Sequence, residues 1–258
     1  MTVSLIVVFA VLALLLIAGI VVARKFAVSR DDSDGPIGTL IAPCVLSLYL
    51  IALAMGLVIG WENNHGAAED AVEEAGYATA LYWNTAAFPD EHGARVRADV
   101  RGYVRAVVRE DWPAMRERRE LSESASDALD RLRVSVDEVP GDEPAAALQN
   151  MHARQNVTEL VEARVKRADS AADTIPRFVT LAAAVSGLVV AVLPFCMQVR
   201  RSRSRLFWAL VNLGFVGATL VLLLLLDNPY SGVLATDSGA FEDTLVEFGR
   251  VDAASAGA

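Results

Sequence analysis

Residues 178–199 read FVTLAAAVSGLVVAVLPFCMQV, and residues 206–226 read LFWALVNLGFVGATLVLLLLL. Neither stretch contains Asp, Glu, Lys or Arg, and only the segment RRSRSR separates them. An α-helix rises about 1.5 Å per residue and the hydrocarbon core of a bilayer is about 30 Å thick, so about 20 apolar residues span it. The pair therefore predicts a transmembrane hairpin over residues 176–227, with helices at Phe178–Val199 and Leu206–Leu226.

A second pair of uncharged apolar stretches lies near the N-terminus, at Val3–Ala23 and Ile37–Gly60. The same length argument predicts a transmembrane hairpin over residues 1–60. A polar region, residues 61–175, lies between the hairpins, and a turn and tail follow over residues 228–258. The sequence therefore predicts an all-α membrane protein with four transmembrane helices in two hairpins and a polar helical insertion between them.

The composition also supports a multi-pass membrane protein and disfavours other classes. The chain is 54% hydrophobic with a mean hydropathy of +0.38, which a soluble domain of this length rarely reaches. Its net charge of −9 gives the chain no overall basic character, so we expect a lipid bilayer as partner and no nucleic acid. No catalytic or phosphate-binding motif is present, and the three histidines are scattered. We expect no enzymatic activity, no catalytic residue, no metal and no cofactor.

Basic residues are unevenly distributed among the segments that flank the apolar stretches. Arg24 and Lys25 follow the first stretch, and four arginines lie in residues 200–205. No Lys or Arg occurs in residues 61–94 or 206–248. Because short basic loops stay in the cytoplasm, the pattern predicts a cell-membrane protein with cytoplasmic hairpin tips. The middle region and both termini are then extracytoplasmic.

The polar region shows the periodicity of amphipathic helices, with apolar residues such as Val96, Val100 and Val107 at helical spacing. Arginines recur every four residues on the same predicted helix, which favours one shared face. Such a face could line a vestibule that attracts anions, or it could be solvated and paired with acidic residues; the second interpretation is favoured. These arginines are Arg97, Arg101, Arg105 and Arg109.

Residues four apart form a row along the second predicted membrane helix, and the residues in the later half of this row are small. The row is Leu40, Cys44, Leu48, Ala52, Gly56 and Gly60, and the third helix repeats the spacing with Ala183, Gly187 and Ala191. Small residues let helix backbones approach closely in lipid, so helix packing is the favoured interpretation for the small positions. A pore-lining face on the second helix is the alternative.

Three stretches of the sequence carry a family resemblance: Glu73-Glu74-Ala75 with Leu81-Tyr82 and Pro89, then Tyr103, Val107, Asp111-Trp112 and Met115, and finally the turn Asp227, Asn228, Pro229, Tyr230, Ser231 and Gly232 with Phe241. Together they resemble the bacterial bestrophin-like membrane proteins (the DUF4239 family), which are related to the bestrophin channels. The resemblance covers nearly the whole chain and implies a bestrophin-like fold.

Bestrophins are pentameric ion channels whose pore runs along the second helix. By position, the resemblance implies that Leu40, Cys44 and Leu48 face a narrow neck, that the chain forms a homo-oligomer, a pentamer by analogy, and that inorganic ions are its partners. The neck aromatics and the acidic calcium-binding cluster of bestrophins are missing. The leading hypothesis is an oligomeric ion channel. The alternative is a non-conducting membrane protein whose helical middle region binds a partner or senses a signal.

Overall fold

The computed structural model describes residues 42–141, 144–196, 203–232 and 234–256, and every regular element in these ranges is helical. The chain divides into two compact units. Unit 1 contains the described residues up to Trp61 together with Thr174–Asp227, and unit 2 contains Glu62–Asp173 and the described residues from Asn228 onward.

Eight α-helices follow one another in the described residues, with a 3₁₀ turn and a π turn between some of them. They are α1 (Ala42–Asn84), the 3₁₀ turn Thr85–Ala87, α2 (Asp90–Ala106), the π turn Val107–Asp111, α3 (Trp112–Arg118), α4 (Glu123–Asp137), α5 (Pro144–Ala172), α6 (Arg177–Cys196), α7 (Arg203–Leu225) and α8 (Gly239–Ala256).

Three stretches of helix are long and apolar enough to cross a membrane, at Ala42–Ala87, Ala146–Leu193 and Phe207–Leu225. They include the apolar parts of α1, α6 and α7, where the sequence predicts its second, third and fourth spans. The first predicted span, at residues 3–23, lies outside the described residues. The helical fold and three of the spans therefore agree with the prediction, and the arrangement of four spans in two hairpins stays a prediction.

Helix α1 continues far beyond Gly60, where the predicted span ends, and reaches Asn84. The apolar run stops near Gly60, but the following residues are rich in Ala and Glu and include no Pro. These residues favour helix, so the backbone has no reason to break where the polarity changes. Hydropathy therefore located the apolar part of this helix but not its end.

Within unit 1, three glycines allow the helices to approach closely. A Cβ added to Gly60 would lie 2.8 Å from Leu226 Cβ, and one added to Gly56 would lie 2.5 Å from Leu223 Cδ1. A Cβ at Gly187 would lie 2.9 Å from the ring of Tyr49. Gly56 and Gly60 of α1 contact Leu223 and Leu226 in the same order along the chain, so α1 and α7 run parallel. Helix α6 runs antiparallel to both.

Unit 2 has its own hydrophobic core, to which the C-terminal helix contributes. Tyr103 on α2, Leu132 on α4 and Leu160 on α5 are fully buried, as are Phe241 and Phe248 on α8. The ring of Phe248 stacks on that of Tyr82, with centroids 3.9 Å apart. The tail predicted for residues 228–258 thus contains a helix that packs in the core of the polar region.

The helix that follows the 3₁₀ turn changes its geometry at residues 107–111. The N–H of Trp112 donates to the carbonyl of Val107, five residues earlier, which makes this turn a π turn. Pro113 cannot donate a hydrogen bond to the carbonyl of Arg109, and its ring crowds that carbonyl, so the preceding turn widens. The extra residue in the turn leaves both Asp111 and Trp112 buried.

Candidate functional site

Two acidic and two basic side chains form a buried ion network in the core of unit 2. Glu74, Asp111 and Arg167 are fully buried, and Arg164 is 5% exposed. The guanidinium of Arg167 donates to both carboxylate oxygens of Glu74, at 2.6 and 3.0 Å, and to Asp111 Oδ2 at 2.8 Å. Arg164 Nη1 donates to the same Asp111 oxygen at 2.5 Å. The network carries no net charge, as burial in a protein interior requires.

Further groups complete the hydrogen bonding of this network. The hydroxyl of Tyr103 donates to Glu74. The other oxygen of Asp111 accepts from the backbone N–H and the hydroxyl of Ser122, both at 2.8 Å. Because Ser122 also caps α4 by accepting from the N–H of Ala125, Asp111 connects the π turn to the start of α4. Buried carboxylates with this many partners hold helices in place.

Aromatic rings enclose the central guanidinium. Arg167 Cζ lies 5.4 Å from the centroid of the Trp112 ring and 5.5 Å from that of Phe241. Trp112 also contacts Tyr230 edge to face, with centroids 5.8 Å apart. Cation–π contacts of a desolvated guanidinium are favourable, so the rings add to the ionic contacts of Arg167.

The environment shifts the pKa of Asp111 and that of Tyr103, whose hydroxyl bonds to Glu74. Burial alone would raise the pKa of Asp111, but the charge of Arg167 and hydrogen bonds from Arg164 outweigh it and lower that pKa. Burial raises the pKa of the Tyr103 phenol well above its usual value, and the negative charge of Glu74 adds to this effect. At neutral pH, Asp111 is therefore ionised and Tyr103 is a neutral hydrogen-bond donor.

The stretches that carry the family resemblance meet at Arg167. Glu74 comes from the first stretch, Asp111 and Trp112 come from the second, and Phe241 comes from the third. Sequence reasoning missed Arg164 and Arg167 themselves. A signal was present, because these two arginines lie three residues apart on the face of α5 that carries the buried Leu160 and Ala171. Charged residues on an apolar helix face are rarely buried without partners.

The residues of the turn predicted at 227–232 are fixed by local hydrogen bonds. In unit 1, the carboxylate of Asp227 accepts from the N–H of Ile175 at 3.2 Å. In unit 2, Asn228 Oδ1 accepts from the N–H of Tyr230 at 2.9 Å. Gly232 has φ 106°, in the left-handed region that a side chain rarely adopts.

Side chains of other helices in unit 2 hold the backbone that follows Asn228. Asn64 Nδ2 donates to the carbonyl of Leu234 at 2.8 Å and to that of Pro229 at 3.4 Å. Trp112 Nε1 donates to the carbonyl of Thr236 at 3.2 Å, and Arg116 Nε donates to that of Tyr230 at 3.4 Å. Sequence reasoning missed Asn64, because one amide in a polar stretch gives no sign of a partner so distant in the chain.

The side chain of Tyr230 lies entirely in the core, and its hydroxyl has no hydrogen-bond partner in the described structure. Burial raises the pKa of this phenol. Tyr230 therefore contributes as a neutral aromatic ring, packed on Trp112. Tyr230 thus packs the segment that follows Asn228 against the helices of unit 2.

The arginine row, which runs along α2 and ends at Arg109 in the π turn, does not stay on one face. Arg97 Nε donates to Thr85 Oγ1 at 2.8 Å, and Arg101 forms an ion pair with Asp252 of α8 at 2.6 Å. Arg105 and Arg109 are exposed. Each i+4 step turns an α-helix by about 40°, so a row of four drifts around its surface. Arg101 pairs with another helix, as the favoured interpretation expects.

The two candidate pore-lining residues that the structure describes lie on the exposed side of α1, and the candidate packing residues of the same row lie on its buried side. Cys44 is exposed and Leu48 is 54% exposed, whereas Leu40 lies outside the described residues. Ala52 is 7% exposed, and Gly56 and Gly60 pack closely against Leu223 and Leu226. The same 40° drift moves the row from one side of the helix to the other.

The three small residues of α6 lie at helix contacts of unit 1. Ala183 is fully buried, Ala191 is 1% exposed, and Gly187 contacts Tyr49. Asn212 of α7 donates to the carbonyl of Val190 at 3.1 Å, close to Ala191 in α6. Among the described residues, no group of three His, Cys, Asp or Glu side chains is placed to hold a metal ion.

The apolar helices of unit 1 define the class of the chain, which is an α-helical membrane protein. A comparison with protein families matches residues 7–241 to the bestrophin-like domain. The chain belongs to the bestrophin-like family. Comparisons with curated proteins and with solved structures each gave no significant match.

Proposed function

We propose that this chain forms a homo-oligomeric ion channel in the cell membrane, in which α1 of each copy lines the path of inorganic ions. The observation that carries the proposal is the exposed side of α1 in unit 1. Leu48 and Ile51 are 54% and 66% exposed, although Tyr49 and Leu53 beside them are buried. A ring of copies, five by resemblance to bestrophins, would bring such faces together around an axis.

The native thiol of Cys44 allows a direct test. The purified protein is examined for its mass in detergent and for conductance in planar bilayers. A thiol-directed methanethiosulfonate reagent is then added to the bath. We expect the current to fall for the natural sequence and for Cys196→Ser, which keeps Cys44, and to persist for Cys44→Ser.

Three results would overturn the proposal. The first is a monomeric mass in detergent, because a monomer cannot place α1 around a central path. The second is a symmetric oligomer that conducts no common ion. A current that the reagent leaves unchanged, while mass spectrometry shows modified Cys44, would remove α1 from the path.

A second candidate function is that of a non-conducting membrane protein whose unit 2 binds a partner or senses a signal. Unit 2 exposes large apolar side chains, with Val72 62% and Val246 60% exposed, which is the observation that favours it. A photo-crosslinking residue at position 72 would give one discrete adduct in cells if this candidate is correct. Conductance without an adduct would reject it. Neither candidate is an enzyme.

We also propose that both hairpin tips face the cytoplasm, with the middle region and the termini outside. The cluster of arginines at residues 200–205 supports this orientation, because short basic segments are hard to translocate. Bestrophins have the opposite orientation, with their helical middle region in the cytosol. A reporter fused to the C-terminus and accessible only from the cytoplasm would overturn the proposed orientation.

A further inference from the structure

Exposed aromatic side chains of unit 1 lie near both ends of its apolar helices. Trp61 on α1 and Phe178 at the start of α6 are 67% and 66% exposed. Phe207 and Trp208, near the start of α7, are 59% and 65% exposed and contact each other edge to face.

Helix contacts bring Trp61 and Phe178 to one level. A Cβ on Gly60, the residue before Trp61, would lie 2.8 Å from Leu226 and 3.2 Å from Ile175. Leu226 directly follows α7, and Ile175 lies three residues before Phe178, in the linker that precedes α6. Gly60 in the middle of α1, the C-terminal end of α7 and the start of α6 therefore lie side by side. We call this the first level.

Phe207 and Trp208 mark the opposite ends of the helices. Asn212 of α7 bonds to Val190 of α6, so Trp208, one turn earlier in α7, lies beside the C-terminal end of α6. Along α7, Trp208 precedes Leu226 by 18 residues, which is a rise of about 27 Å. We call the position of Phe207 and Trp208 the second level.

The surface between the two levels has the chemistry of a lipid-facing region. Its exposed side chains include Leu181, Val185 and Phe215, at 64%, 54% and 61%. Residues 178–196 and 206–226 contain no Asp, Glu, Lys or Arg. The rise of about 27 Å matches a hydrocarbon core of about 30 Å. Charged residues appear at once outside the first level, at Arg177 and Asp227.

We propose that the two bilayer–water interfaces lie at these two levels, one at Trp61 and Phe178 and the other at Phe207 and Trp208. Aromatic rings prefer the headgroup region, where one side of the ring is apolar and the other is hydrated. The exposed surface of α6 and α7 between the levels contacts the acyl chains. The Asp227 carboxylate, which accepts the N–H of Ile175, lies in the headgroup region of the first interface.

Spin-label depth measurements on the full chain in phosphatidylcholine liposomes test this assignment. Single cysteines are introduced at the aromatic levels, between them and in unit 2, in a Cys44→Ser/Cys196→Ser background, and labelled with a nitroxide. Collision rates with oxygen, which concentrates in hydrocarbon, are compared with those of a water-soluble nickel chelate. The labelled variants are Trp61→Cys, Phe178→Cys, Phe207→Cys, Trp208→Cys, Val185→Cys, Phe215→Cys and, as the aqueous control, Val72→Cys.

We expect the ratio of oxygen to nickel collisions to be highest at positions 185 and 215, lowest at 72 and intermediate at the four aromatic positions. A ratio at 61 or 208 as high as that at 215 would overturn the assignment of that level. Low collision rates with both reagents at 185 and 215 would show that protein, not lipid, covers this surface. Phe207→Cys and Trp208→Cys each measure the depth of the second level. If one of these variants folds poorly, the other still tests the assignment.

Discussion

Replacing Glu74 by Gln should destabilise unit 2 far more than the same change at its neighbour Glu73. Glu74 is fully buried and bonds to Arg167 through both oxygens. Glu73 forms a single ion pair with Lys166 at 2.9 Å, at the protein surface. The two pairs join the same two helices one residue apart, so Glu73→Gln is a matched control.

The magnitude follows from the charge that the change leaves buried. Glu74→Gln keeps the shape of the side chain but leaves Arg167 with Asp111 as its only anionic partner, which Arg164 shares. Breaking a buried ion pair by neutralising one partner costs about 3–5 kcal/mol. For a protein of this size the loss corresponds to a fall in Tm of roughly 6–20 °C. An exposed pair is screened by water, so Glu73→Gln should change Tm little.

The assay is thermal unfolding of the purified protein in detergent, followed by near-ultraviolet circular dichroism. A further variant, Glu74→Leu/Arg167→Met, removes both charges and keeps an apolar filling. It should recover most of the lost stability, because an apolar replacement of a whole buried pair is often neutral. Equal Tm values for Glu74→Gln and Glu73→Gln would refute the reasoning.

Three further predictions concern pH, helix packing and ion selectivity. Because the pKa of Asp111 is lowered in the folded state, its stabilisation should be complete above its unfolded value of about 3.9 and be lost as pH falls below it. Asp111→Asn should therefore lower Tm at pH 7 and flatten its acid dependence. Gly60→Ala should cost about 1–3 kcal/mol because its Cβ meets Leu226, whereas Gly76→Ala, with nothing within 4 Å, should stabilise by about 0.5–1 kcal/mol in the same thermal assay. Glu62 and Glu69 are exposed on α1, which contains no Lys or Arg. In the proposed channel, reversal potentials should therefore show cation selectivity, and the double variant Glu62→Gln/Glu69→Gln should reduce it. Unchanged reversal potentials in the variant would contradict this prediction.

Length and hydropathy were sufficient to locate the apolar helices. The spans Phe178–Val199 and Leu206–Leu226 could be recognised from local sequence alone, because an uncharged apolar run of this length is typical of a transmembrane helix. The same signal placed the end of the second span at Gly60, although α1 continues to Asn84. Hydropathy reports the surroundings of a helix, and the backbone continues wherever local propensity permits it.

The i+4 rows show the limit of periodicity. Cys44 and Gly60 belong to the same row, yet one is exposed and the other packs against Leu226. The arginine row likewise divides, with Arg101 paired to α8 and Arg109 exposed. An i+4 spacing keeps two residues on one face but not six, because the helix turns about 40° further at each step.

By itself, the sequence determined that the chain is helical, that it enters a membrane and that it belongs to the bestrophin-like family, since runs of apolar residues and short motifs are local properties. The tertiary structure alone decided that Glu74, Asp111 and Arg167 meet in one buried network. A charged side chain is buried only when distant parts of the chain supply opposite charges and hydrogen bonds, and no local pattern records where those partners are.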